Sequence, residues 1–258
     1  MLLTRSSKRA AALVCASAVC LASNDASAVV YSHGHGDIRF RLNGSALYQA
    51  VHLDPESIID GGEAGNAPDG MDYLTSAVTV RVPEPTFARP DGSEWAFIGN
   101  EPGDPVWFIP EIQEFDRPWL GISTEELNPA PWSNFRLRLT SVSGPPGGDF
   151  SLSDSSGLLF ATVFFATSDG IDAADQFEPF LGSHAHYSWL FTKPGTYEVT
   201  LQATGQHATA GSLMSSATYR FDVIPEPSTS VSLLIAAGAS ACFRRREQAP
   251  GGKGSGST

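Results

Sequence analysis

The fold is decided by residues 36–53, which read GDIRFRLNGSALYQAVHL. The apolar residues Ile38, Phe40 and Leu42 alternate with two arginines, and this period of two predicts a half-buried strand. The Asn43-Gly44 dipeptide that follows predicts a type I′ turn, after which residues 46–53 form a second strand. The stretch therefore predicts a β-hairpin.

The same alternation recurs along the chain and predicts an all-β fold. It appears at Ala77 to Val82, at Phe135, Leu137 and Leu139, at Tyr197, Val199, Leu201 and Ala203, and at Tyr219, Phe221 and Val223. Residues 157–167 are apolar on both parities, as expected of a central strand covered on two faces. Ser123 and Glu126 predict a capping box for one helical turn. Strands at this density favour a single β-sandwich, immunoglobulin-like or jelly-roll-like.

The composition agrees with a turn-rich β protein. The 258 residues are 41% hydrophobic and 17% charged, and they include 25 glycines and 18 prolines. This content is sufficient for a core and points away from a helical bundle. The net charge of −12 makes a nucleic-acid partner unfavourable, because the surface as a whole repels a polyanion.

Residues 1–28 have the pattern of a secretory signal peptide. Basic residues come first, an apolar run covers residues 10–22, and Ala26-Ser27-Ala28 forms an A-x-A site with cleavage after Ala28. A transmembrane helix is the weaker alternative, since the run is shorter than the roughly 20 residues that a bilayer crossing requires. Export through the Sec translocase is expected.

The other end has three features in a fixed order. Pro225, Glu226 and Pro227 are followed by an apolar segment over residues 231–243 and by Arg244, Arg245 and Arg246. This order resembles the PEP-CTERM sorting signal of Gram-negative bacteria. The resemblance implies transient insertion in the inner membrane with the arginines on the cytoplasmic side, processing by an exosortase, and delivery to the cell surface or extracellular matrix. An ordinary C-terminal membrane anchor is the alternative.

These motifs divide the chain into four parts: the signal peptide (1–28), a β-sandwich surface-anchored domain (29–222), the sorting signal (223–246) and a disordered tail (247–258). Cys15, Cys20 and Cys242 all lie in the terminal parts. The body has no cysteine, which excludes a disulfide or a cysteine-based zinc site within it.

Four of the six histidines form two His-x-His pairs, His33 with His35 and His184 with His186. Residues i and i+2 of an extended chain project from one face, so each pair presents two imidazoles side by side. Convergence of the pairs on one ion would suit zinc, copper or nickel, and with Asp37 added it would suit manganese or iron. We predict that the four histidines bind Zn²⁺ or Mn²⁺. The alternative is four unrelated histidines at strand entrances.

Longer strings carry a second resemblance. The segments YSHGHGDI (31–38), WLGISTEE (119–126), SGP (143–145) and residues 184–205 together are similar to the choice-of-anchor M, or surface-anchored protein, domain. Some members are associated with metal-uptake transporters, which implies a metal role for the matching residues His35, His184 and His186. The segment around Tyr197 also looks like the end of immunoglobulin-like modules, with the ring buried and its hydroxyl bonded to nearby backbone.

Other features of the sequence are expected to have structural roles. The acidic stretches 56–72 and 169–175 lack the Asp-x-Asp-x-Asp spacing of a calcium loop, and we expect solvated turns. His52 and His207 are expected to be surface or packing residues. Trp95, Trp107, Trp119 and Trp132 are more typical of a sandwich core than of a sugar-binding face.

The sequence predicts a non-enzymatic protein. The body has no nucleophile elbow, no phosphate-binding loop and no His-Glu-x-x-His motif. Two alternatives stay open: an extracytoplasmic metal-dependent hydrolase or oxidase, since a histidine site with an open position permits such chemistry, and a structural or carbohydrate-binding adhesin.

Overall fold

A computed structural model describes residues 28–60, 62–63, 68–84, 86–155 and 161–224. The predicted signal peptide up to residue 27, the sorting signal from Pro225 to Arg246, and the tail 247–258 lie outside the described residues. Within the described ranges, no helix has the length and apolar character needed to cross a bilayer.

The described residues form seventeen strands and two short 3₁₀ helices. The strands are β1 (Val29–Asn43), β2 (Ala46–Leu53), β3 (Ile58–Ile59), β4 (Gly62–Glu63), β5 (Met71–Tyr73), β6 (Val78–Val82), β7 (Phe87–Ala88), β8 (Pro105–Ile109), β9 (Pro118–Ser123), β10 (Trp132–Ser143), β11 (Phe150–Asp154), β12 (Thr162–Ala166), β13 (Gln176–Phe177), β14 (His184–His186), β15 (Ser188–Phe191), β16 (Gly195–His207) and β17 (Gly211–Val223). The 3₁₀ helices span Thr75–Ala77 and Ser93–Ile98. The prediction of an all-β fold is confirmed.

The strands assemble into two sheets. The larger has twelve strands in the order β13-β10-β16-β17-β6-β1-β2-β5, with β3, β4, β9 and β14 joined outside this path. The smaller has the order β12-β11-β15-β8-β7. The larger sheet is mixed, because β6 and β9 both run parallel to β1 and β6 is also parallel to β17.

One hydrophobic core joins the sheets. Trp189 and Phe191 on β15 of the smaller sheet are fully buried. Their rings lie 5.5 Å and 5.2 Å, respectively, from that of Phe221 on β17, measured between centroids. Two sheets that bury one face each against a common core are consistent with a β-sandwich.

The predicted hairpin is confirmed, and its turn differs from the prediction. β1 and β2 pair in antiparallel register from Gly36 opposite Leu53 to Asn43 opposite Ala46. The loop is therefore Gly44-Ser45 rather than Asn43-Gly44. Gly44, at the first central position, has a φ of 61°, which glycine adopts without a Cβ clash. The type I′ assignment is wrong, because that turn needs a positive φ at both central residues and Ser45 does not have one.

The predicted helical turn at Ser123 is also wrong. Ser123 is the last residue of β9, where it pairs with His184 of β14. Its hydroxyl accepts a hydrogen bond from the Glu125 backbone N–H at 3.4 Å, and the chain turns instead of winding into a helix. Competition between such local side-chain bonds and helix geometry is common for serine.

Tyr197 occupies the predicted corner. Its ring is fully buried, and its hydroxyl donates to the Lys193 carbonyl at 3.0 Å and accepts from the Lys193 N–H at 3.2 Å. Burial raises the pKa of Tyr197 to about 12. The residue closes the turn between β15 and β16.

Candidate metal centre

Three of the four predicted histidines lie together at one side of the larger sheet. His35 comes from β1, and His184 and His186 come from β14. One ring nitrogen of each lies within 4.8 Å of the others, and the two Nε2 atoms of His35 and His186 are 3.1 Å apart. We call these three residues the histidine cluster.

Strand β9 brings the histidine cluster together. It pairs in parallel with β1 and antiparallel with β14, so that Gly121 is opposite both Asp37 and His186. Residues paired across adjacent strands project from the same face, and so do alternate residues of one strand. His35, Asp37, His184 and His186 therefore share a face of the sheet although 151 residues separate His35 from His186.

His33 lies outside the histidine cluster. Its Nδ1 is 2.8 Å from the hydroxyl of the neighbouring Ser32. The reason is the backbone between the two histidines: Gly34 has a φ of 87°, and the pairing of β1 with β3 shifts register between Tyr31 and His33. This irregularity breaks the period of two on which the prediction for His33 depended.

Carboxylates orient two of the rings. His35 Nδ1 donates to Asp54 Oδ2 at 2.8 Å, and His184 Nδ1 donates to Glu125 Oε1 at 3.0 Å. A ring that carries its proton on Nδ1 has a lone pair on Nε2, which can bind a metal ion. Histidines that bind metals usually donate their other ring N–H to a carboxylate or a similar acceptor in this way. The hydrogen bond with His184 also lowers the pKa of Glu125.

The third ring is held by stacking. His186 lies flat on the indole of Trp119, with 3.7 Å between ring centroids and 11° between planes. Burial lowers the pKa of His186 to about 3, and the neighbouring His35 and His184 act in the same direction. The ring is consequently neutral at physiological pH, which is the protonation state that binds metal.

Asp37 is a fourth polar group at the histidine cluster. Its side chain is buried, and Oδ2 lies 3.8 Å from His35 Nε2. Burial raises the pKa of Asp37, and the nearby His35 opposes this effect.

An outer layer of charges adjoins the histidine cluster on β2 and β5. His52 bridges two carboxylates, with Nε2 3.5 Å from Asp54 Oδ1 and Nδ1 2.7 Å from Asp72 Oδ1. Asp72 also pairs with Arg39 and Arg41. We interpreted His52 as a surface or packing residue; it is buried and belongs to this network. The hairpin register places His52 opposite Asp37, and the turn predicted from the sequence would not have given this pairing.

The remaining candidates have structural contacts. Asp175, in the second acidic stretch, accepts hydrogen bonds from the backbone N–H groups of Ala166 and Asp172. His207 is buried and accepts from the Ala210 N–H at 3.2 Å, as expected of a packing residue. Trp107 is buried, whereas Trp119 belongs to the histidine cluster's surroundings.

No family model, curated protein or solved structure matches this chain. The PEP-CTERM and choice-of-anchor M assignments therefore stay predictions that rest on the motifs quoted above.

Proposed function

We propose that this chain is an exported, non-enzymatic protein of the cell surface or extracellular matrix whose β domain, an immunoglobulin-like or jelly-roll-like sandwich, binds a divalent transition metal ion. One observation carries the metal part of the proposal: His35, His184 and His186 bring three ring nitrogens within 4.8 Å of one another. Three imidazoles with room for further donors suit Zn²⁺ and, with oxygen ligands added, Mn²⁺.

The surroundings of the histidine cluster support binding of a cation. Asp54 and Glu125 hold two rings in the orientation that leaves Nε2 for a metal. The stacked position of His186 on Trp119 limits the rotation of the third ring. Rings fixed in this way lose little conformational freedom when they bind an ion, and pre-organisation of this kind raises affinity.

The export part of the proposal rests on the two ends of the sequence. Recognition by the Sec translocase and cleavage after Ala28 would give a mature chain that starts at Val29. An exosortase would then act near Pro225-Glu226-Pro227, with the apolar segment transiently in the inner membrane. Mass spectrometry of the chain recovered from the surface of a PEP-CTERM-containing host tests both steps. A retained N-terminal segment would contradict cleavage after Ala28, and absence of the chain from the cell surface would contradict export.

The metal part is tested on the full chain, stripped with a chelator and then titrated with Zn²⁺ and with Mn²⁺ by calorimetry. We expect one site per chain in the wild type and no measurable site in the variant His184→Ala/His186→Ala. His33→Ala is the matched control, because it removes a histidine of the same motif that lies outside the histidine cluster, and it should bind as the wild type does. A wild-type chain that binds neither metal would refute the proposal.

A metal-dependent extracytoplasmic hydrolase or oxidase is the second candidate. It is favoured by the exposure of His184, since 40% of its side chain is accessible, so an ion held by the three histidines could be reached by a substrate. Turnover of an ester, phosphate or glycan substrate that disappears in His184→Ala would support this alternative over simple binding.

A further inference from the structure

Asp37 is a buried acidic residue beside the histidine cluster. It is only 2% exposed, and its Oδ1 accepts no hydrogen bond from any described residue. A buried carboxylate oxygen normally has a partner, because its removal from water is costly unless a hydrogen bond or a cation compensates. The arginine two residues along β1, Arg39, is directed to Asp72 and Glu126 instead, at 3.5 Å and 3.2 Å.

The carboxylate of Asp37 extends over β9 toward the histidine cluster. A Cβ atom added to Gly121 would lie 2.3 Å from Asp37 Oδ1 and 3.0 Å from His186 Cε1. Both groups thus occupy the space above Gly121, and a side chain at this position would exclude them. The missing Cβ is what allows a residue of β1 and a residue of β14 to approach across the strand between them.

The distances from His35 to two of its neighbours are close to those between ligands of one metal ion. Ligands about 2.0–2.1 Å from a tetrahedral zinc ion lie about 3.3 Å from one another. His35 Nε2 is 3.1 Å from His186 Nε2 and 3.8 Å from Asp37 Oδ2. Asp37 is thus adjacent to His35 at the centre formed by the imidazoles, and its carboxylate would have to turn toward His184 and His186, because it is not among the groups that lie within 4.8 Å of one another.

We propose that Asp37 is the fourth ligand of the metal site, which then consists of three imidazoles and one carboxylate around Zn²⁺. This inference rests on the proposed function and deepens it. The carboxylate supplies a negative charge that offsets part of the charge of the ion. Four protein ligands fill the tetrahedral shell of zinc, as in structural sites, whereas catalytic sites keep a position for water. The arrangement is consequently that of a structural metal site and not of a catalytic one.

The test compares Asp37→Asn and Gly121→Ala with the wild type and with Asp222→Asn, a control that removes one carboxylate from β17. Calorimetric titration with Zn²⁺ gives the dissociation constants, and thermal unfolding with and without Zn²⁺ gives the stability. We expect Asp37→Asn to weaken Zn²⁺ binding by at least about 100-fold, beyond the usual effect of losing an outer-shell partner. Gly121→Ala should weaken it as well while leaving the carboxylate in the chain, because its Cβ displaces that group.

The melting temperatures with and without Zn²⁺ distinguish a metal ligand from a residue that only supports the fold. In the metal-free chain, Asp37→Asn should melt at the same temperature as the wild type or higher, because it removes a buried charge with an unpaired oxygen. With Zn²⁺ present it should melt lower than the wild type. A residue that merely supports the fold would show a lower melting temperature in both conditions, and this result would overturn the inference.

The outcomes for the two proposals differ. If Asp37→Asn and Gly121→Ala bind Zn²⁺ as tightly as the wild type while His184→Ala/His186→Ala does not bind, the metal site stands and Asp37 is not its ligand. If the wild type itself binds neither Zn²⁺ nor Mn²⁺, both proposals fail. A preference for Mn²⁺ over Zn²⁺ in the wild type would overturn the closed tetrahedral zinc site and leave the metal-binding function in place.

Discussion

Asp54 and Glu125, the carboxylates that accept hydrogen bonds from the histidine cluster, should contribute unequally to metal affinity. We expect the more buried of the two to contribute more. Asp54 contacts His35 at 2.8 Å, and the two side chains are 31% and 16% exposed. Glu125 contacts His184 at 3.0 Å, and these side chains are 49% and 40% exposed. A hydrogen bond is stronger where water is excluded. Replacement of Asp54 should therefore weaken binding more than replacement of Glu125.

The expected loss of metal affinity follows from the usual effect of removing a residue that hydrogen-bonds to a metal ligand. This effect is about 10- to 100-fold, or ~1.4–2.7 kcal/mol. We expect Asp54→Ala near the upper end of this range and Glu125→Ala near the lower end. Asp54→Asn keeps a carbonyl oxygen that can accept from His35 Nδ1, and it should recover part of the loss. The metal-free chain should lose less than about 1 kcal/mol in the free energy of unfolding, because the pairs are partly exposed.

The assay is a Zn²⁺ titration of each variant in competition with a chelator, combined with urea unfolding of the metal-free protein. Two results would refute the reasoning: Zn²⁺ affinity in Asp54→Ala equal to that of the wild type, or a larger loss in Glu125→Ala than in Asp54→Ala. The first result would mean that Asp54 does not hold the His35 ring for a metal, and the second that burial does not determine the order of the two carboxylates.

Three further predictions concern other parts of the molecule. Trp119→Ala removes the surface on which His186 stacks, and Zn²⁺ titration should show about 10-fold weaker binding, comparable to the loss of an outer-shell partner. Trp189→Ala empties a fully buried site between the sheets and should cost about 3–5 kcal/mol in urea unfolding. The raised pKa of Tyr197, about 12 against the ordinary 10, means that its contribution to stability is complete below pH 10 and declines as pH rises to 12. Tyr197→Phe should therefore reduce the loss of stability between pH 9 and pH 11, measured by urea unfolding, and an unchanged slope would contradict this account.

Local patterns in the sequence predict most of the strands. The central strand expected within residues 157–167 is an exception, because β12 lies at the edge of the smaller sheet and Thr162 and Val163 are exposed. The alternation around Phe40 predicts strand β1 because a period of two marks one buried face, but it does not give the pairing of the hairpin, which differs from that of the predicted turn. The Pro-Gly-Thr-Tyr segment likewise predicts the buried position of Tyr197. Local patterns predict less where two tendencies compete. Ser123 and Glu126 have the spacing of a capping box, but pairing of β9 with both β1 and β14 takes Ser123 into the sheet.

In the candidate site as well, local patterns predict some features and fail to predict others. The His184 and His186 pair follows directly from strand periodicity. The exclusion of His33 depends on the positive φ of Gly34, which the residue type permits but does not require. The role of Gly121 depends on a parallel pairing between β1 and β9, and no local pattern specifies which strands become neighbours.

The separation of 151 positions between His35 and His186 has a consequence for the order in which the protein folds. The hairpin of β1 and β2 closes a short loop and can form early, whereas β14 can join only after most of the domain has been made, since long loops close slowly and late. A nascent chain thus carries His35 without its partners. Occupancy of the site would then report that the whole domain has folded, and a chain truncated before β14 should retain its hairpin yet fail to capture the ion.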